Sequence, residues 1–231
     1  MPCVLVTGAN RGLGLEFCRQ YAETGWLVLA CCRKPEQAAA LRELAEQHGN
    51  LQILPLQVTD FAAIDSLSQQ LAKASIDVLI NNAGIYGDHA QRAFGHLDYE
   101  NWNRTLRINL QAPVKMAEAF LPQVQRSAKK LLVAISSQMG CISDNSSGGS
   151  LLYRSSKAGL NAVMKSLSID LAVQKVGVLI FHPGWVRTDM GGAQGLIDAA
   201  TSVAGMRQQI EQFDIRHSGR FIKYDGTTMS W

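Results

Sequence analysis

Short apolar runs, mostly β-branched or leucine-rich, recur along the chain at Val4–Val6, Leu27–Cys31, Leu51–Leu56, Val78–Ile80, Leu131–Ile135, Val178–Phe181 and Phe221–Tyr224. Most are apolar at successive rather than alternate positions, the pattern of strands buried on both faces. Between them lie segments whose apolar residues return every three or four positions: Leu15–Glu23, Glu36–Gln47, Phe61–Leu71, Trp102–Leu121 and Tyr153–Gln174. These predict helices, and Gly25 and Gly49 stand as stops just beyond two of them. Strands alternating with helices imply right-handed crossovers and parallel pairing. The pattern therefore predicts an α/β fold of Rossmann type: a doubly wound, mainly parallel sheet of about seven strands with helices on both faces. Ligands in this architecture bind at the carboxyl ends of the strands, so candidate chemistry lies in the residues after each strand. No repeat or linker interrupts the pattern. The Ser/Gly-rich stretch Ser143–Ser150 is short enough to be a loop, which leaves one domain over residues 1–231.

Composition narrows the class. With 47% hydrophobic residues in 231, the chain can bury a core without disulfide or metal staples. A net charge of +3, from 22 basic and 19 acidic residues, predicts no nucleic-acid partner. The longest apolar run, Trp26–Cys32, is only seven residues, against the roughly 20 of a spanning helix, so no membrane association is expected. No basic leader precedes Gly8, which predicts a cytoplasmic protein. The five cysteines form no CxxC pair, so no metal is expected. Cys3, Cys18 and Cys31 read as small buried hydrophobes and Cys141 as partly exposed on a loop.

Directly after the first strand stands Thr7-Gly8-Ala9-Asn10-Arg11-Gly12-Leu13-Gly14, leading into a helix. Glycines there permit a tight turn and close approach of backbone to a pyrophosphate at the helix amino terminus. At the end of the second strand, where an NAD site carries a carboxylate, the chain has Cys32-Arg33. A guanidinium can pair with a 2′-phosphate that a carboxylate would repel. Arg33, with Arg11 approaching from the glycine loop, makes NADP(H) the expected cofactor over NAD(H).

Tyr153 and Lys157 are spaced to share one helix face, where an ammonium would lower the phenol pKa. Ser136 and Ser137 end the fifth strand, and either hydroxyl could bond a carbonyl oxygen. Asn81-Asn82-Ala83-Gly84 ends the fourth strand with amides able to fix a loop. Asn109 stands inside an apolar helix pattern, four residues before Pro113, which has no N–H to offer the Asn109 carbonyl. That carbonyl could hold a water that links Lys157 to solvent.

These motifs, with His182-Pro183-Gly184 and Thr188, resemble in order and near spacing the motif set of the single-domain short-chain dehydrogenase/reductases. The tail around Gly219-Arg220-Phe221, Tyr224-Asp225-Gly226 and Trp231 further resembles the C-factor-like and sniffer-like carbonyl reductase branch. The resemblance implies hydride transfer between a nicotinamide and a small carbonyl or alcohol substrate. Tyr153 would be the general acid or base, Ser137 would orient the carbonyl, and Lys157 would lower the tyrosine pKa and bind ribose; Asn109 would complete the catalytic set. Cofactor contacts would come from Gly8, Asn10, Arg11, Gly12, Leu13, Gly14, Arg33, Gln57, Val58, Asn82, Ala83, Gly84, Tyr153, Lys157, Pro183, Gly184, Val186 and Thr188. The family also implies a homodimer or homotetramer through the helices carrying Asn109 and Tyr153, although some members are monomers.

Two departures stand out. Ser137 precedes Tyr153 by sixteen residues, a few more than the family pattern, which predicts a longer loop beside the site. Gln57 replaces an Asp that many relatives carry before Val58, and Asp60 reads as a helix cap. His182 reads as a structural histidine, Tyr86, His89 and His96 as candidates for the substrate entrance, and Trp185 as a shaper of the pocket. A short substrate lid is expected around 189–200, made mobile by Gly191, Gly192 and Gly195. The leading expectation is an NADPH-dependent reductase of a small ketone, aldehyde or quinone. The alternative is a nucleotide-binding regulatory or signalling protein without significant turnover.

Overall fold

The computed structural model describes residues 1–89 and 93–231. Seven strands, β1 Cys3–Thr7, β2 Leu27–Cys32, β3 Leu51–Pro55, β4 Val78–Asn81, β5 Leu131–Ile135, β6 Gly177–His182 and β7 Arg220–Lys223, form one sheet in the order β3-β2-β1-β4-β5-β6-β7. Every neighbouring pair is parallel. All seven lie where the apolar runs placed them, because a strand buried on both faces leaves a local signal. Alternate residues go to opposite faces: Val4 and Val6 join one apolar cluster, Cys3 and Leu5 the other.

One face is covered by α1 Gly12–Glu23, α2 Ala39–Gln47 and α7 Ala199–Glu211, through residues such as Phe17, Leu41 and Met206. The other is covered by α3 Phe61–Gln70, α5 Ala112–Gln125 and α6 Leu151–Asp170, through Ile64, Phe120 and Met164. Asp60 caps α3 as expected, accepting from the Ala63 N–H at 3.0 Å.

Two helix expectations are corrected. The segment predicted as a helix from Glu36 opens with a 3-10 turn, Pro35–Gln37, and α2 begins only at Ala39. Trp102–Leu121 is not continuous: α4 Tyr99–Leu106 passes through a π-helical turn, Arg107–Gln111, into α5. Pro113 in the first turn of α5 lacks the N–H that a regular ladder needs, and the wider turn accommodates that loss. A further helix, α7, covers Ala199–Glu211, for which no element was predicted. Its signals are the Asp198 cap, which accepts from the Thr201 N–H at 2.7 Å, and the buried Val203, Met206 and Ile210.

All five cysteines are free and buried, Cys141 included. The chain end folds over its loop, bringing Ser230 Oγ to 3.1 Å from Cys141 Sγ, a contact between residues 89 apart in sequence. Among the described residues, no helix is long and apolar enough to cross a membrane.

Candidate active site

The strand order reverses between β1 and β4, and the residues following these strands meet there. Gly8 adopts φ +67°, a conformation that L side chains rarely adopt, and turns the chain from β1 toward α1. Gly14 sits so close to this turn that a Cβ on it would lie 2.1 Å from Gly8 O and 2.6 Å from Asn82 Nδ2. The turn is clamped from β4: Asn82 Nδ2 donates to Thr7 O at 2.9 Å and to Gly8 O at 3.1 Å. The Thr7 hydroxyl in turn accepts from the Asn82 and Ala83 N–H groups at 3.0 and 3.1 Å. These bonds leave a glycine-lined cradle at the amino terminus of α1, the geometry that accommodates a phosphate.

Beside the cradle opens a cavity of about 530 Å³ lined by Arg33, Gln57, Val58, Ile85, Arg104 and Arg107 among others, and no carboxylate lines it among the described residues. Arg33, Gln57 and Val58 thus line one cavity. Arg104 and Arg107 were not anticipated; they stand three apart, on α4 and the π turn, a spacing without meaning until the fold brings them to the cavity that Arg33 also lines. Arg107 donates to Thr59 O at 3.0 Å and lies 4.2 Å from the Phe61 ring centre. Arg11 is not among the residues that line this cavity. It pairs instead with Asp189 at 2.7 Å, an exposed carboxylate that is the nearer partner in this structure.

At the ends of β5 and in α6, the catalytic candidates converge. Tyr153 and Lys157 are buried on one face of α6, with Lys157 Nζ 5.7 Å from the Tyr153 ring centre. The Ser137 hydroxyl pulls the Tyr153 pKa downward, whereas Ser136 donates to Asn161 Oδ1 at 2.6 Å. The longer loop does not separate the pair. A 3-10 turn, Gln138–Gly140, begins at Ser137, and the exposed remainder is held to α6 by Arg154, which donates to Ser147 Oγ at 3.0 Å.

The expectation that Lys157 lowers the Tyr153 pKa is corrected. Burial pushes the phenol up to about 12; the Ser137 hydroxyl pulls against that rise and Tyr86 adds to it. Lys157 is instead committed to Ile135 O, to which its Nζ donates at 2.8 Å, and burial pushes it down to about 8. Asn109, in the π turn, uses its whole side chain on neighbours. Its Nδ2 donates to Ile85 O at 2.8 Å and to Ser156 Oγ at 2.9 Å, and its Oδ1 accepts from the Ile85 N–H at 2.9 Å. A Cβ on Gly84 would lie 3.3 Å from Asn109 Oδ1 and 3.7 Å from Lys157 Nζ, so this glycine keeps the space before the lysine open.

After β6, Thr188 reaches the glycine loop: its Cγ2 lies 3.5 Å from where a Gly12 Cβ would stand. Its hydroxyl accepts from the Gly191 N–H at 3.1 Å, and Trp185 Nε1 donates to Gly191 O at 2.7 Å. Gly191 and Gly195 serve close packing here rather than freedom, since a Cβ would lie 2.0 Å from Val186 O and 2.5 Å from Arg187 N respectively. His182 is structural as read: its Nδ1 accepts from the Gln138 N–H at 3.1 Å, and burial pushes its pKa down to about 4. Tyr86 lies beside Tyr153, ring centres 5.1 Å apart. Asp88, which carried no sequence signal, accepts from the backbone N–H groups of Leu152 and Tyr153.

The family model for short chain dehydrogenases matches residues 2–196. The C-signal protein of Myxococcus xanthus is 41% identical over 156 residues, covering 68% of this chain and 93% of that protein. Among solved structures, the carbonyl reductase Sniffer of D. melanogaster superposes with a TM-score of 0.93 at 35% identity, covering both chains fully. The NADPH-bound carbonyl reductase from chicken fatty liver superposes at 0.91 with 33% identity, over 100% of this chain and 99% of that one.

Proposed function

Because the chain belongs to the short chain dehydrogenase family, we propose that it is an NADPH-dependent reductase of a small ketone, aldehyde or quinone. The carrying observation is the convergence of the buried Tyr153 and Lys157 with the half-buried Ser137 near a glycine cradle, with no carboxylate among the described residues lining the neighbouring arginine-bearing cavity. The NADPH-bound structural relative supports the choice of cofactor.

The residues present fit the dinucleotide. Gly8, Asn10, Arg11, Gly12, Leu13 and Gly14 would hold the pyrophosphate, and Gln57 and Val58 the adenine. Arg33, with Arg104 lining the same cavity, would take the 2′-phosphate. Asn82, Ala83, Gly84, Lys157, Pro183, Gly184, Val186 and Thr188 would hold the nicotinamide half, with residues 189–200 as the substrate lid. When bound in its reduced form, the nicotinamide supplies hydride to the carbonyl carbon.

Ser137 Oγ orients the carbonyl oxygen by hydrogen bonding and stabilises the charge that grows there. Tyr153, with its pKa pushed up to about 12, holds its proton throughout the neutral range and is a ready donor to the more basic alkoxide oxygen. The Lys157 ammonium, held on Ile135 O, would bind the nicotinamide ribose. Asn109 acts through its neighbours, fixing Ile85 and Ser156 around the site. A pure binding module has no use for a buried phenol paired with a serine and a lysine.

The test is NADPH oxidation against a panel of ketones, aldehydes and quinones, with Tyr153→Phe in parallel. Turnover should fall by at least about 100-fold in the variant while NADPH binding stays intact. Retained turnover would remove Tyr153 from the role of proton donor.

A further inference from the structure

Helix α6 begins at Leu151 without a local cap, since Ser150 stands in the left-handed region at φ 48° and its side chain caps nothing. The first backbone N–H groups of such a helix need acceptors from elsewhere. They find one in Asp88, whose Oδ1 accepts from the Leu152 N–H at 3.2 Å and whose Oδ2 accepts from the Tyr153 N–H at 2.8 Å. Its negative charge also suits the amino end of the helix.

Asp88 is itself held. Ile85 is fixed at both its N–H and its C=O by the Asn109 side chain. Gly87 O accepts from Asn101 Nδ2 at 2.5 Å, and a Cβ on Gly87 would lie 2.2 Å from Thr105 Oγ1. The Tyr86 hydroxyl meets Ser150 Oγ at 2.6 Å. Residues 85–88 thus form a bracket, seated on α4 and the π turn and gripping the first turn of α6 at the residue that carries the phenol.

We propose that Asp88 is a positioning residue that sets Tyr153 for proton transfer by fixing its backbone N–H. The inference rests on the reading of Tyr153 as proton donor and extends it to the residue that holds the donor in place. A misplacement of about 1 Å in a reacting group costs on the order of 100-fold in rate.

The experiment compares Asp88→Ala and Asp88→Asn with wild type in the full chain. It measures kcat and KM for carbonyl reduction, NADPH affinity by fluorescence, and amide exchange at Leu152 and Tyr153. Asp88→Ala should lower kcat by about 10–100-fold with KM and NADPH affinity within about threefold. It should also speed exchange at both amides. Asp88→Asn keeps one acceptor oxygen, so it should restore kcat and protection at Tyr153 while Leu152 exchanges faster. Wild-type kcat in a folded Asp88→Ala overturns the proposal, as does an Asp88→Asn as impaired as the alanine variant. If Asp88→Ala does not fold, Asp88→Asn decides alone: exchange unchanged at both amides overturns the proposal. Absence of turnover in wild type, with the exchange pattern as expected, would instead sink the reductase reading and leave the bracket standing.

Discussion

Gly14 offers the sharpest test of the cradle, because its constraint is space rather than conformation. A methyl on Gly14 would meet Gly8 O at 2.1 Å and Asn82 Nδ2 at 2.6 Å, and the first of these is backbone that cannot rotate aside. Either α1 or the turn must move by an ångström or more to reach ordinary contact. Overpacking of this kind costs about 1–3 kcal/mol, and two rigid contacts argue for the upper end. For a chain of this size each kcal/mol moves the midpoint by about 2–4 °C, so Gly14→Ala should melt roughly 6–12 °C lower. Gly49→Ala is the control: nothing lies within 4 Å of its added Cβ and its φ is ordinary, so it should be neutral or gain about 0.4–1 kcal/mol. The assay is a thermal melt with and without NADPH. A ligand at a hundred times its Kd raises wild-type stability by about 2.7 kcal/mol, an increment that Gly14→Ala should largely lose. A Gly14→Ala midpoint within about 2 °C of wild type, with the NADPH increment intact, would refute the close-approach reasoning.

Exchanging Arg33 for Asp should weaken NADPH by at least about 10-fold and NADH by less than about threefold, since a charge-assisted pair is worth about 1.5–3 kcal/mol. Arg104→Ala should show the same selectivity more weakly, and equal losses for both cofactors in fluorescence titrations would refute the assignment of the phosphate to this cavity. Lys157 is a cation below its pKa of about 8 and neutral above it, so carbonyl reduction should fall as pH rises through that value. Lys157→Arg should move that fall upward, and a flat wild-type profile across the interval would count against the cationic role. The reverse oxidation needs Tyr153 as phenolate, and with its pKa at about 12 the rate should climb with pH throughout the alkaline range; a plateau near neutrality would show a phenol that ionises far more easily.

Sequence by itself determined the seven strands, the glycine turn and the Tyr153–Lys157 spacing, because each is written in residues close along the chain. Strands buried on both faces are continuous apolar runs, and a helix face repeats every three or four positions. The break between α4 and α5 was only half legible: Pro113 announced a kink, but the π turn that absorbs it depends on Asn109 finding Ile85 and Ser156. Helix α7 carries a local signal in its Asp198 cap and in the spacing of the buried Val203, Met206 and Ile210.

Tertiary structure alone decided the rest, because those features arise from groups far apart in sequence. The proton on Tyr153 depends on burial set against the Ser137 hydroxyl, and the spacing of Tyr153 and Lys157 on a helix states neither. Ser136 and Ser137 are equal candidates in sequence until the strand end points one at Asn161 and the other at the phenol. Arg104 gains meaning only where it lines one cavity with Arg33, and Asp88 only where a loop reaches the uncapped start of α6. The chain's local pattern wrote the scaffold, and contacts between distant residues set the protonation and alignment of the groups it carries.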